Sequence, residues 1–135
     1  MKLARIGFII AGLYGIVALT PQYFAEGFIG RRFPPPITHP EYFYGFIGVV
    51  IVFHLLFLMI AKDPLRYRPL MLLAMTEKFV FGVPTVLLYV QQRVALPIAI
   101  AALVDIAFGV LFLIAYRATS NVQSPATTWH PAATA

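Results

Sequence analysis

Four ionisable side chains sit inside stretches apolar enough to cross a bilayer: His54, Glu77, Lys78 and Asp105. Glu77 and Lys78 are adjacent, an acid and a base in the middle of "LLAMTEKFVFGVP", residues 72–84. Carboxylates and an imidazole at membrane depth can pair with cations, move protons or hold the polar end of a ligand, and such groups face a bundle interior rather than lipid. Two other chemistries are weaker. His54 with Met75 supplies the residue types of a haem axial pair, but one His and one Met are no haem motif. A di-metal carboxylate centre needs repeated Glu-x-x-His spacing, which is absent. With no cysteine in the chain, thiol redox chemistry, thiolate metal sites and quinone-linked disulfide formation are excluded.

These residues need elements to hold them, and the composition says which. Of the 135 residues 61% are hydrophobic and only 11% charged. A soluble domain carries about 25% charged residues, so lipid must cover what charge does not. Ten Lys and Arg against five acids give a net charge of +5. The basic residues do not form a stripe with interleaved aromatics, so nucleic acid is not an expected partner; the lipid bilayer is. Four spans meet the length of about 20 apolar residues that a crossing helix needs. They run over residues 3–23, 41–61, 69–90 and 94–116. The apolar part of the first is too long for a signal peptide and lacks a small-residue cleavage site, so it is expected to be a retained helix. Prolines punctuate the span ends, and six of the seven tyrosines fall near them, as headgroup-level aromatics do. The expected domain is therefore residues 1–117, followed by an Ala/Thr/Ser/Pro-rich polar tail, 118–135. Trp129 and His130 in that tail could be ordered by a partner.

Lys and Arg in the short loops set orientation. With the N-terminus inside, Lys2, Arg5, Lys62, Arg66, Arg68 and Arg117 lie on the cytoplasmic side, and Arg31, Arg32 and Arg93 outside. Six against three predicts N-in/C-in. The long connection "EGFIGRRFPPPITHPE" then faces outward.

Antiparallel helices joined by a short loop mirror each other in depth. About the loop centred near residue 65, His54 mirrors residue 76; about the loop centred near 92, Asp105 mirrors residue 79. All four ionisable groups thus fall within roughly one helical turn of depth. Each charge facing lipid would cost about 2.5–3.5 kcal/mol, which for Glu77 and Lys78 together roughly cancels what the apolar residues of the third span return. That span needs partners. Neighbouring residues point about 100° apart on a helix, so Glu77 and Lys78 cannot satisfy each other well. Depth pairs His54 with Glu77 and Asp105 with Lys78. Pro84 should add polarity by freeing the carbonyl of Val80. For close packing, Ala4, Gly7, Ala11, Gly15 and Ala18 form a small-residue stripe on the first span, with a shorter one, Ala101, Asp105 and Gly109, on the fourth.

The segment "PEYFYGFIGVVIVFHLLFLMIAKDPLRYRPLMLLAMTEKFVFGVP" resembles one found in small bacterial four-helix membrane proteins, similar in size and topology to the DoxX-like group. The resemblance implies a bacterial inner-membrane location and brings no catalytic residues. The reading is an all-α, integral membrane four-helix bundle with a buried polar cluster of His54, Glu77, Lys78 and Asp105. Its expected role is non-catalytic, as a small accessory subunit or assembly partner of membrane protein subunits. One alternative is a carrier or binder of a small lipophilic or protonatable molecule; another is a membrane enzyme acting on a quinone or lipid. No cofactor is specified by these residues.

Overall fold

A span in hydrocarbon must close its own backbone hydrogen bonds, and a single segment does so only as a helix. The computed structural model describes residues 2–33 and 35–120. Helix α1, Lys2–Leu19, runs into a 3-10 turn at Thr20–Phe24. Then follow α2 (Glu26–Arg32), α3 (Pro40–Lys62), α4 (Arg68–Val90) and α5 (Leu96–Ser120). The described residues hold no strand. Four helices, counting α1 with its 3-10 turn, are long and apolar enough to cross a membrane. They make a four-helix membrane bundle, clad on its outer surface by residues such as Ile10, Val17, Val52, Val80 and Leu103.

The middle two spans are placed to within a residue. The first changes pitch where Pro21 enters, because proline has no N–H to continue an α-helical ladder. The fourth is shifted. It begins at Leu96, with Pro97 in the first turn where a missing N–H costs nothing. It also continues past Tyr116 to Ser120, as Thr119 is fully buried and its hydroxyl lies within hydrogen-bond reach of the carbonyls of Ala115 (3.0 Å) and Tyr116 (2.9 Å). The expected tail therefore begins as helix; residues 121–135, with Trp129 and His130, lie outside the described residues. Helix α2 was not expected inside the long connection. Its signal is electrostatic: Glu26 opens it and Arg31 and Arg32 close it, each complementing the helix dipole.

α1 packs along α3 and α4 along α5; α1 also meets α5, while α3 and α4 touch over a short length. The two pairs join at the end that carries Lys2, Lys62, Arg68 and Arg117. There Phe8 of α1, fully buried, stacks on Phe112 of α5 at 4.0 Å between centroids and meets the edge of Phe57 of α3 at 6.1 Å. Phe57 meets Phe112 at 5.1 Å, so three helices share one aromatic knot. Two arginines fasten the same end by donating to carbonyls near helix C-termini, of which those of α3 have no intrahelical partner. Arg5 donates to Ala61 and Lys62 at the end of α3 (3.2 and 3.4 Å), and Arg68 to Tyr116 of α5 (3.3 and 3.4 Å), with its guanidinium 3.8 Å above the Tyr116 ring. Toward the other end, the divergent end, a cavity lies between the pairs, crossed by Phe46 of α3 and Phe81 of α4 with ring centroids 5.6 Å apart.

The small-residue stripe of α1 is largely a contact face: Ala4, Gly7, Ala11 and Gly15 are buried, and Ala18 is exposed. The side chain most dependent on it is His54. A Cβ on Gly15 would overlap the His54 ring. Gly15→Ala is accordingly expected to destabilise the protein by about 1–3 kcal/mol, the usual cost of overpacking. Unfolding in detergent, compared with Ala11→Gly on the same face, measures it.

Candidate functional site

Residues from three helices converge where the pairs begin to part. Lys78 of α4 lies at the centre, its side chain 1% exposed, and His54 of α3 is 2% exposed. The Lys78 ammonium donates to Asp105 Oδ1 of α5 at 3.0 Å. It also reaches His54 Nε2 at 3.4 Å. The imidazole's tautomer follows from its other nitrogen. Nδ1 lies 2.7 Å from the Val50 carbonyl, which can only accept, so Nδ1 carries the proton and Nε2 faces the ammonium as an acceptor. Glu77 Oε2 is ion-paired with the same ammonium at 3.3 Å but not in hydrogen-bonding geometry; it is buried and has no hydrogen-bond partner.

The expected pairing of Lys78 with Asp105 is thus formed. The expected pairing of His54 with Glu77 is not: the imidazole goes to Lys78. Depth along the bundle fixes the level of a residue and says nothing of its direction around the helix. The flexible stem of Lys78 carries its charge into the space between helices that His54 faces. Neighbouring Glu77 and Lys78, expected to satisfy each other poorly, do form a buried ion pair at 3.3 Å, but without a hydrogen bond. Pro84 does not join the cluster. It and Val80 are exposed on the outer side of α4, away from the buried face that carries Lys78. Met75 packs against the aromatic knot while His54 Nε2 faces Lys78, so the two do not form an axial pair. Among the described residues no three His, Asp or Glu side chains group as metal ligands.

A cavity of about 500 Å³ opens directly from this cluster toward the divergent end. Its floor is His54, Glu77 and Asp105; its walls include Phe46, Ile47 and Val50 of α3, Phe81 of α4, and Ile98 and Ala101 of α5. Tyr14, Gly15 and Ala18 of α1 form a third side. The mouth is bordered by Gln22 of the 3-10 turn, Ile29 of α2 and Phe33. This rim is tied down, since Tyr44 of α3 donates to Glu26 Oε2 at 2.8 Å and stacks on Tyr23 at 5.8 Å. Volume and lining fall in the range of small-molecule sites, which are mostly apolar with a few polar groups at one place.

Sequence reasoning identifies the floor and misses the walls. The one available signal was the pair Ala18 and Ala101, small residues read as packing stripes that instead leave space. No protein-family model, curated protein or solved structure matches the chain, so the site is read from its own geometry.

Proposed function

We propose that this protein binds or carries a small lipophilic molecule, whose polar head sits on the His54, Glu77 and Asp105 floor. The observation that carries this reading is Glu77 Oε2, a buried oxygen that is ion-paired with Lys78 at 3.3 Å yet accepts no hydrogen bond, at the base of an apolar cavity. Buried polar atoms are almost always satisfied, and the exceptions call for a functional account. A pair serving only as interhelical glue needs no space beside it. Here the space is about 500 Å³. No nucleophile or cofactor enters the reading, and the protein is taken to be a binder rather than an enzyme.

The aromatic-knot end carries Lys2, Arg5, Lys62, Arg66, Arg68 and Arg117, and the divergent end Arg31, Arg32 and Arg93. The positive-inside rule favours placing the knot and both chain termini in the cytoplasm. The cavity then opens toward the opposite face of the membrane, in keeping with a bacterial inner-membrane protein.

Ala101→Phe tests the reading. It places a ring in the cavity from an exposed wall position, and should lower retention of co-purifying small molecules by about tenfold or more while leaving unfolding unchanged. Mass spectrometry of nanodisc preparations measures retention. Equal retention in the variant would remove the cavity from consideration. A second reading, an accessory subunit, draws on one feature: Phe24 and Phe28, 90% and 61% exposed, stand beside Arg31 and Arg32 at the rim. It predicts stoichiometric partner proteins in the same preparation.

A further inference from the structure

Resting on that binding reading, we infer that the ligand is an amphiphile with a single positive charge, such as a lipophilic amine. The charged groups around the floor settle its sign. α3 contributes His54, α4 Glu77 and α5 Asp105; α1 and the 3-10 turn contribute only the neutral Tyr14, Gly15, Ala18, Leu19 and Gln22. No Lys or Arg lines the cavity among the described residues. Lys78 is held behind the floor, its hydrogen bonds directed to Asp105 and His54. With Glu77 and Asp105 ionised, two carboxylates therefore stand against one ammonium, which contacts all three floor residues from below and does not itself line the cavity.

The floor offers the ligand the carboxylate acceptors of Glu77 and Asp105, while the neutral donors of the lining, Tyr14 and Gln22, lie on α1 and its 3-10 turn. A hydroxyl could donate to the Glu77 oxygen that accepts no hydrogen bond, but would leave the surplus negative charge unmatched in hydrocarbon, where an unpaired charge is costly. A carboxylate-bearing lipophile would add a second. A cation supplies both the donor and the charge, in a charge-assisted hydrogen bond stronger than a neutral one. The walls agree. Phe46 and Phe81 line the cavity with ring centroids 5.6 Å apart, and aromatic faces favour cations.

Three probes with one skeleton separate the possibilities: decylamine, decanol and decanoate. Equilibrium dialysis against the protein in phosphatidylcholine nanodiscs, with empty nanodiscs as the blank, gives each affinity. Decylamine is expected to bind at least about tenfold tighter than decanol, and decanoate weakest. In Glu77→Gln, which keeps the Lys78–Asp105 pair and the shape of the side chain, decylamine should fall to within about threefold of decanol. Equal wild-type affinities for amine and alcohol would overturn the cation inference and leave the binding reading intact, whether or not the variant folds. An amine preference that survives Glu77→Gln would overturn the assignment to Glu77. Binding of none of the three above the blank would overturn both.

Discussion

Replacing Lys78 with methionine is expected to cost about 3–5 kcal/mol of stability, the loss seen when one partner of a buried ion pair is removed. Methionine keeps an unbranched apolar stem and lacks only the terminal ammonium position, so the change chiefly removes the charge. What remains is Asp105 without its 3.0 Å donor, His54 Nε2 without its 3.4 Å donor, and Glu77 with no cation nearby. Two carboxylates then share one buried space. The triple variant Lys78→Met, Glu77→Gln, Asp105→Asn should recover most of the loss, since it leaves no charge to compensate. Chemical unfolding in detergent micelles provides both numbers. A single variant within about 1 kcal/mol of wild type would mean that water reaches the cluster freely and that the burial argument is wrong. Recovery of stability in the triple variant together with loss of amine binding would separate the two roles of these charges, fold and ligand.

The bundle was legible because its signals are one-dimensional. Length, hydropathy and proline positions determine where helices begin and end, and α3 and α4 follow them to within a residue. The failures share a cause. α2 is seven residues long, too short for a hydrophobic period to register, and shows itself only through Glu26 and the two arginines. α5 ends late because a buried hydroxyl at Thr119 extends it, a tertiary effect in a stretch that reads as tail. The cluster itself was legible as a slab of depth, since antiparallel helices share a ruler. Its partners were only half so, because choosing between Glu77 and Lys78 for His54 requires the rotation of α4 about its axis. The cavity was hidden for a further reason. An empty volume is set by how far two helix pairs diverge, and the local sequence around Ala18 and Ala101 reads the same for a packed seam as for a wall. Gly15 belongs to both sides of this divide. It was visible as part of a stripe, but the side chain it makes room for, His54, was not.

Phe8→Ala is expected to lower stability by about 3–5 kcal/mol, the range for deleting a buried aromatic side chain from a packed core. Phe8 is 0% exposed and touches both Phe57 and Phe112, so its ring joins α1 to the partner helices on either side. In hydrocarbon, with no hydrophobic effect to draw helices together, such packing carries a larger share of association than it would in water. The consequence reaches the site. α3 and α4 meet over a short length, so the angle between the two helix pairs is held chiefly through α1 and the knot. Loosening the knot should let the pairs shift, lengthening the 3.4 Å contact between His54 on one pair and Lys78 on the other. Ligand retention should therefore fall in Phe8→Ala along with stability, whereas Ala101→Phe lowers retention alone. Lys78–Asp105, both on the second pair, should persist in both. A drop in stability with retention unchanged would show that the cavity is maintained by its own walls and not by the knot below it.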